Sequence, residues 1–480
     1  MKTLFCVLVF SVSLAGCAGT SGTQDSDAPM RKIAGVSQAA VLYVRSSKSE
    51  PVLRPVSYIT TVASLLTKSA GGALGRVVIN TALMPALDGP IPPLAYAEPM
   101  DLAAWESQLD RVTNTKQTLG SIEFLIDGEE YFSRLEKAIE SANDSIDIRT
   151  YIFDNDDYAV TVADKIKARS NDDVRVRILI DSLGNLKAMQ ANPDSLPESH
   201  RGPLSISMYL KDHSKVKVRN IANPWFTGDH TKTTIIDKEV AFVGGMNIGR
   251  EYRYDWHDMM MEVRGPVVDQ LQYESDKAWA RAGLLGDVGN FLAFIKGKRS
   301  RNSENDSVYP LRILQTRSFD SDIYKAQIAA IRNARSYILI QNAYFSDDRI
   351  LYELAVARRR GVDVRVILPT RGNHGPMNSS NQIAINQMLQ HGIRVYRFPG
   401  MTHVKAAIFD GWACVGSANF DKLSLKVNKE LNLATSDPDT VAELMNRLFI
   451  PDLMASTEIN QPADTTMMAR VTEMLVDELL

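Results

Sequence analysis

The sequence predicts an α/β protein in which two copies of one domain pack against each other. Strand-like and helix-like segments alternate from about residue 120 onward, and the same order of segments returns about 190 residues later. Both copies also end in the same set of polar residues. Alternation of strands and helices is typical of a sheet covered by helices. A near-constant offset between similar segments indicates an internal duplication.

The first copy opens with apolar residues at helical spacing over 131–142, followed by a β-branched, alternating stretch over 145–153. A second helix and strand are predicted at 160–168 and 174–180. In the second copy, Ile338-Leu339-Ile340 corresponds to Ile146-Asp147-Ile148, and residues 363–366 correspond to 173–176. We therefore expect two equivalent sheets, each built from strand–helix–strand units.

Changes in composition predict the domain boundaries. We expect a signal peptide over 1–16, a tether and N-terminal extension over 17–119, domains over 120–295 and 310–455, and a tail over 456–480. A polar run without periodicity, 296–307, separates the two domains. Within the extension, the apolar but interrupted stretch 56–83 has two interpretations. It is either a helix packed on the main body or an amphipathic segment in a membrane interface.

The overall charge argues against one class of function. The 480 residues carry a net charge of −3, and the isoelectric point is about 6.2. A non-specific nucleic-acid binder usually carries a basic footprint. Nucleic acid is therefore not the expected partner, although a local cationic pocket stays compatible with these numbers.

The amino terminus resembles a bacterial lipoprotein signal. An apolar run from Thr3 to Leu14 leads into Ala15-Gly16-Cys17, and this run is too short to span a bilayer. The resemblance implies cleavage before Cys17 and a lipid on that cysteine. Ala18 follows, which by similarity to Gram-negative lipoproteins favours the outer over the inner membrane. We expect a lipid-anchored protein on the periplasmic face of the cell envelope.

Each copy contains a His-x-Lys pair followed by Asp, a small-residue pair and Asn. An acidic residue follows each Asn after a further eleven positions. In the first copy the residues are His230, Lys232, Asp237, Gly244, Gly245, Asn247 and Asp258. In the second they are His403, Lys405, Asp410, Gly416, Ser417, Asn419 and Glu430.

This spacing suits a phosphodiester substrate. Residues i and i+2 of a strand point to one face, so each His projects together with its Lys. A neutral imidazole can attack phosphorus, and ammonium and amide groups can hold the oxygens on which charge builds up. We assign phosphate binding to Asn247, Asn419 and Ser417, and small residues before each Asn let the backbone pass close to a ligand. A carboxylate on the other ring nitrogen of each His would fix its tautomer.

The two motifs resemble the mark of the phospholipase D superfamily, HxKxxxxD followed by GG or GS, one residue and Asn. The run 256–268 and the run 448–453 are similar to bacterial cardiolipin synthases. The resemblance implies two α/β/α sandwich domains about a pseudo-twofold axis, one shared site, and no metal, cofactor or required oligomer. It implies a phosphohistidine at His230 and an acid–base role for His403.

The family pattern also guides the remaining roles. Asp258 and Glu430 are assigned to orienting the histidines, whereas the signature residues Asp237 and Asp410 hold the turns. The second motif has one residue fewer between Asp410 and Gly416, so we expect a tighter hairpin there.

The favoured function is a phosphatidyltransferase that makes cardiolipin from phosphatidylglycerol, with phospholipid as the substrate. A phospholipase D that transfers to water shares the same catalytic residues. The motifs are also compatible with a nuclease of the superfamily and with an inactive envelope protein that retains the fold. His213-Ser214-Lys215 repeats the His-x-Lys spacing without the rest of the motif, and we interpret it as a solvated charge run. His374, in a loop after a strand, and Tyr151, at the end of one, are open candidates for substrate contact.

Overall fold

A computed structural model describes residues 28–66, 87–189, 193, 195–222, 227–296, 308–317, 320–372 and 375–464. The predicted signal peptide, the lipidated Cys17 and His374 lie outside the described residues.

One continuous sheet of 15 strands runs through both halves of the protein. The first half contributes β1 Thr118–Ile126, β2 Ser145–Thr150, β3 Arg175–Asp181, β4 Lys217–Ile221, β5 Thr233–Ile236, β6 Val240–Gly244 and β7 Met259–Arg264. The second half contributes β8 Tyr309–Thr316, β9 Tyr337–Asn342, β10 Asp363–Pro369, β11 Arg394–Phe398, β12 Lys405–Phe409, β13 Trp412–Gly416, β14 Glu430–Thr435 and β15 Thr457–Ile459.

The strand order shows the duplication directly. It reads β15-β11-β10-β9-β12-β13-β14-β8-β1-β7-β6-β5-β2-β3-β4, so the halves mirror each other outward from β8 and β1. In each half three strands are parallel, and the hairpin β5–β6 or β12–β13 continues the sheet antiparallel. The duplicated α/β fold is therefore confirmed. The two sheets, however, are joined, because β1 pairs antiparallel with β8.

Helices cover the sheet, and their bounds agree with the predicted elements near 131–142 and 160–168. The helices before the second half are Ala28–Leu53, 55–66, Leu102–Thr113, Asp127–Ser141, Asp157–Asn171, Ser182–Ala188, Ile206–Lys211, Val267–Arg281 and Gly286–Lys296. Those of the second half are Asp322–Asn333, Asp348–Arg359, Gly375–Gln390, Lys422–Lys426, Pro438–Leu444 and Ile450–Ala455. Two π-helical turns, Glu251–Asp255 and Met445–Phe449, complete the set within the described ranges.

Three apolar clusters hold the layers together. One lies under the helices of each half, and a third contains buried residues of both halves, among them Phe124, Val243, Val415 and Phe449. Burial of this third cluster fixes the two halves against each other, because separating them would return its apolar surface to water. Across the described stretches, no helix combines the length and the hydropathy needed to cross a bilayer.

The described residues on either side of the two domains contain more regular structure than the composition predicts. A helix already begins at Ala28, inside the predicted tether. Residues 87–113 pack on the second half, where the rings of Trp105 and Trp412 lie 5.3 Å apart. In the predicted tail, β15 pairs with β11 and forms the edge of the sheet. Composition misses this strand because three residues are too short to show a period.

The predicted tighter hairpin in the second motif is confirmed. Ile236 pairs with Val240 across a three-residue turn, whereas Phe409 pairs with Trp412 across a two-residue turn. Both turn residues of the shorter hairpin, Asp410 and Gly411, have positive φ. This is the conformation of a type I′ turn, for which Asp-Gly is a preferred sequence.

Candidate active site

Two short backbone bridges bring the two motifs together. Asp229, just before His230, bridges to Lys429, just before Glu430. The second bridge is the symmetric counterpart, because His257, just before Asp258, bridges to Thr402, just before His403. Each motif histidine is thereby held beside the acidic residue of the other half.

The histidines and carboxylates pair across the two halves. Glu430 Oε2 lies 3.0 Å from His230 Nδ1, and Asp258 Oδ2 lies 2.7 Å from His403 Nδ1. Both carboxylates are buried. A carboxylate that accepts the Nδ1–H leaves Nε2 of the ring as the free, basic nitrogen. In each half, then, Nε2 is the atom available to a substrate.

Burial favours the neutral form of both imidazoles. Burial, together with the charges of Lys232 and Lys405, lowers the pKa of His230 well below its usual value. The pKa of His403 falls to about 3, because burial and Lys405 outweigh the opposing effect of Asp258. A neutral imidazole is the nucleophilic form. The shared influence of both lysines shows that the two motifs form a single electrostatic site.

The two lysines are buried with their histidines. Lys232 Nζ donates to the carbonyl oxygen of His230 at 2.7 Å, and Lys405 Nζ makes the equivalent bond to the carbonyl of His403. Burial lowers the pKa of Lys232 to about 7 and that of Lys405 to about 8. Burial also raises the pKa of Glu430 to about 7, against the attraction of Lys232. An anionic phosphate would stabilise both ammonium groups in this site.

The small-residue pair before each Asn lies against the acidic residue that pairs with the histidine of the other half. A Cβ on Gly245 would lie 2.3 Å from Asp258 Oδ1. At the equivalent position of the second half, the hydroxyl of Ser417 donates to Glu430 Oε2 at 2.6 Å. Ser417 is therefore a partner of Glu430, and this contact, not phosphate binding, is what the structure shows for it.

The two motif asparagines have different surroundings. The side-chain oxygen of Asn247 accepts from the backbone N–H of Ile152 at 3.0 Å, and its amide nitrogen donates to the hydroxyl of Tyr252 at 2.7 Å. The side-chain oxygen of Asn419 is buried without a hydrogen-bond partner among the residues that the structure covers. Phosphate binding by Asn247 would thus be restricted to its second amide hydrogen, because the first is donated to the Tyr252 hydroxyl.

Asp237 and Asp410 are not brought to the histidines. Each lies at the other end of its strand and accepts hydrogen bonds from a row of backbone amides. For Asp237 the donors are the amides of Asn143, Asp144 and Ser145. For Asp410 they are those of Arg335, Ser336, Tyr337 and Met100. Both residues therefore fix the loop that precedes β2 or β9, and catalytic contact is ruled out by position.

Aromatic residues complete the pocket, and sequence reasoning left most of them out. The ring of Tyr151 lies 4.9 Å from that of His230, and Lys232 Nζ lies 5.4 Å from the same tyrosine. Tyr252 and Trp256 lie 5.8 and 5.2 Å from the ring of His403. The position of Trp256 two residues before Asp258 was a usable signal, since alternate residues in extended chain share a face.

Other histidines are outside this pocket. The side chain of His213 is 92% exposed, which confirms that its His-x-Lys pair is a solvated charge run. His257 lies between Asp127 and Asp452, at 2.7 Å from each, and links the two halves at the rim. In the described part of the chain, no group of three or more His, Cys, Asp or Glu residues could hold a metal ion.

Sequence comparisons find similar proteins over both halves of the chain. The profile of the family described as "Cardiolipin synthase, PLD-like domain" matches residues 135–279 and 327–450. Cardiolipin synthase A of Pseudomonas putida (strain W619) is 26% identical over 380 residues, which are 74% of this chain and 72% of that protein. Cardiolipin synthase 2 of Bacillus anthracis is 28% identical over 347 residues, which are 70% of this chain and 65% of that protein.

The fold is also found among solved structures. Phosphatidylserine synthase of Haemophilus influenzae Rd KW20 superimposes with a TM-score of 0.58 at 14% sequence identity. The match covers 78% of this chain and 96% of that one. At this identity the likeness shows a shared fold.

Proposed function

Because this chain belongs to the family of cardiolipin synthases and PLD-like domains, whose profile matches more than half of it, we propose that it is a phosphatidyltransferase that makes cardiolipin from phosphatidylglycerol. The observation that carries the proposal is the crossed pairing of His230 with Glu430 and of His403 with Asp258. It gives one pocket two oriented imidazoles and two lysines, which a two-step exchange at phosphorus needs.

In the first step, Nε2 of His230 attacks the phosphorus of the donor lipid. A P–N bond forms, and the P–O bond to the head-group alcohol breaks. His403 supplies the proton that the departing alkoxide takes. The bound diester promotes this protonation of His403, because its negative charge offsets Lys232 and Lys405, and Asp258 supports the imidazolium.

In the second step, a hydroxyl of the acceptor lipid attacks the phosphohistidine. Neutral His403 accepts the hydroxyl proton, a new P–O bond forms, and the P–N bond to His230 breaks. The ammonium groups of Lys232 and Lys405 stabilise the charge on the non-bridging oxygens in both steps. The side-chain N–H groups of Asn247 and Asn419 are suited to the same task.

The proposal includes the roles of the two domains and of the membrane anchor. The domains over 120–295 and 310–455 would each supply one motif, and 17–119 would connect them to the membrane. A lipid on Cys17 would hold the enzyme at the cell envelope, with the outer membrane favoured, and would place it at its substrate surface. The lipoprotein-like run ending in Ala15-Gly16-Cys17 supports this anchor.

The test is incubation of the full chain with phosphatidylglycerol vesicles, followed by separation of the lipids. His230→Ala is the inactive variant, and His213→Ala is the matched control outside the pocket. We expect cardiolipin and glycerol from the wild type and from His213→Ala, and neither from His230→Ala. Phosphatidic acid without cardiolipin would instead establish a hydrolase. A fully active His230→Ala enzyme would refute the phosphohistidine mechanism.

A further inference from the structure

Two segments of the surface expose large apolar side chains. In 284–295 six such side chains are between 49% and 87% exposed: Leu284, Leu285, Val288, Phe291, Leu292 and Ile295. In the helices Ala28–Leu53 and 55–66 six more are between 47% and 77% exposed: Val41, Val44, Val52, Val56, Ile59 and Leu66. These twelve are more than half of the exposed large hydrophobic residues in the described ranges, so the exposure is concentrated and not scattered.

The two segments touch each other. The carboxylate of Asp287 accepts from the backbone amides of Val56 and Ser57 at 2.8 and 3.0 Å. Gly286 packs so closely on the carbonyl of Leu53 that no side chain would fit at this position. The exposed residues on either side of this junction, within 52–66 and 284–295, form a surface that we call the apolar patch.

Burial in the N-terminal helices is the reverse of that in an ordinary surface helix. Around the junction, Glu50, Arg54, Thr61 and Ser64 are buried, whereas Val52 and the neighbouring apolar residues face outward. A helix on a water-soluble protein normally turns its apolar stripe to the core and its charges to solvent. Contiguous exposed apolar surface of this kind marks an interaction site.

The buried polar side of these helices faces the active site. Arg54 pairs with Glu50, and its Nε donates to the carbonyl of Arg281. Arg281 in turn interacts electrostatically with Asp229 and Lys429, the bridge that positions His230 and Glu430. One layer of buried charge therefore lies between the patch and the residues that position His230 and Glu430.

We propose that the apolar patch inserts into the surface of a phospholipid bilayer and presents the catalytic pocket to lipid head groups. A bilayer fits because the apolar residues are followed directly by KGKRSR, residues 296–301. Basic residues next to an exposed apolar helix face are typical of interfacial binding to anionic lipids. The identification of the lipid as substrate rests on the proposed function, but the binding does not require turnover.

The first test uses the full chain reconstituted in phosphatidylglycerol vesicles, with a polarity-sensitive fluorophore on Val288→Cys or Phe291→Cys. Met208→Cys is the matched control, because Met208 is also an exposed apolar residue but lies in another helix. We expect blue-shifted emission at positions 288 and 291, quenched by lipids with brominated acyl chains, and water-like emission at 208. Water-like emission at all three positions would overturn the proposal. Blue-shifted emission without vesicles would also overturn it, because another protein segment or a second copy would then cover the patch.

The second test separates docking from catalysis. Val288→Gln/Phe291→Gln is compared with Met208→Gln on phosphatidylglycerol vesicles and on a short-chain, monomeric phosphatidylglycerol. The ratio of vesicle to monomer turnover should fall about tenfold or more in the patch variant and stay constant in the control. An unchanged ratio would refute the docking role. If the wild type turned over neither substrate, the proposed function would be contradicted. The fluorescence test would still decide whether the patch inserts into the bilayer.

Discussion

Glu430 of the second half accepts the Nδ1 proton of His230 of the first half across 3.0 Å. The symmetric contact joins His403 to Asp258, so each half lends its carboxylate to the histidine of the other. Neither half contains a complete catalytic pair. The apolar cluster shared by the two halves therefore has a functional consequence, because it holds the carboxylates in reach of the rings.

Replacement of either carboxylate by its amide should lower turnover strongly without unfolding the protein. In Glu430→Gln and Asp258→Asn the amide keeps the volume of the side chain but cannot stabilise a charged imidazole. We expect kcat to fall by about 10²–10⁴-fold, the range seen when a histidine loses its orienting carboxylate. Glu239→Gln, on an exposed turn, is the matched control. Wild-type kcat in either amide variant would show that the crossed pairs do not assist catalysis.

The roles of the two histidines should become distinguishable with a substrate whose leaving group does not need a proton. A p-nitrophenyl phosphodiester loses p-nitrophenolate unaided, so the proton from His403 is dispensable in the first step. We expect His403→Ala to release about one equivalent of p-nitrophenol per enzyme and to retain a phosphohistidine detectable by mass spectrometry. His230→Ala should release none. A covalent adduct on His403 in the His230→Ala variant would reverse the assignment of the nucleophile.

The dependence of kcat/KM on pH should be bell-shaped. The free site needs ionised Glu430, with a pKa raised to about 7, and protonated Lys232 and Lys405, with pKa values lowered to about 7 and 8. Activity should therefore fall below about pH 7 as Glu430 takes up a proton, and above about pH 7 to 8 as Lys232 and then Lys405 lose theirs. Since Glu430 and Lys232 interact, the apparent pKa values of the two limbs describe the titration of the pair and not of either residue alone.

The alkaline limb offers a further check on the same model. A bound diester anion favours the charged lysines, so the limb of kcat should lie at higher pH than that of kcat/KM. Both are measured with short-chain phosphatidylglycerol between pH 5 and 10. Identical alkaline limbs for the two parameters would indicate that the lysines do not contact the phosphate.

The repeat and the spacing of the motif made the fold and the identity of the site predictable. The i, i+2 rule placed each histidine with its lysine, and the equal distances to Asp258 and Glu430 singled out both carboxylates. The crossed pairing could not be predicted, since sequence spacing gives no information on which half a side chain faces. It depends on the backbone bridges of Asp229 with Lys429 and of His257 with Thr402, which join residues far apart in the chain.

Two other features could not be predicted from the sequence: the contact between Gly245 and Asp258, and the orientation of the N-terminal helices. The sequence does not show that Asp258 occupies the space beside Gly245. The sequence also does not show which face of the N-terminal helices is buried. Glu50 forms an ion pair with Arg281, which comes from a distant helix, and Arg54 donates to the carbonyl of Arg281. A rule that places apolar residues inside gives the opposite orientation.

Asp237 and Asp410 should matter for stability and not for the chemical step. Each carboxylate accepts from at least three backbone amides. Removing such an acceptor leaves the amides unsatisfied, at about 1–3 kcal/mol. We expect Asp237→Ala and Asp410→Ala to lower the free energy of unfolding in urea by this amount, with kcat per folded molecule within about twofold of wild type. A loss of kcat comparable to that of His230→Ala would show that these residues take part in the chemical step.

His257 should make the stability of the protein depend on pH in the alkaline range. Hydrogen bonds to Asp127 and Asp452 outweigh burial and raise the pKa of His257 to about 10, whereas an unfolded histidine has a pKa of about 6.5. The folded state therefore binds a proton more tightly than the unfolded state. The resulting stabilisation is complete below pH 6.5 and is lost as the pH rises to 10.

The contribution of His257 is isolated by difference, because other groups also titrate in this range. At pH 6 we expect His257→Gln to be less stable than wild type by a few kcal/mol, from about 1.4 kcal/mol for each unit of pKa shift. At pH 10 most of that difference should vanish, since His257 is then only about half protonated in the folded state and neutral in the unfolded state. Urea unfolding of the wild type and of His257→Gln at pH 6 and at pH 10 measures this difference in stability. A difference in stability that does not change between pH 6 and 10 would contradict this prediction. His257 would then link Asp127 to Asp452 as a neutral hydrogen-bonding group.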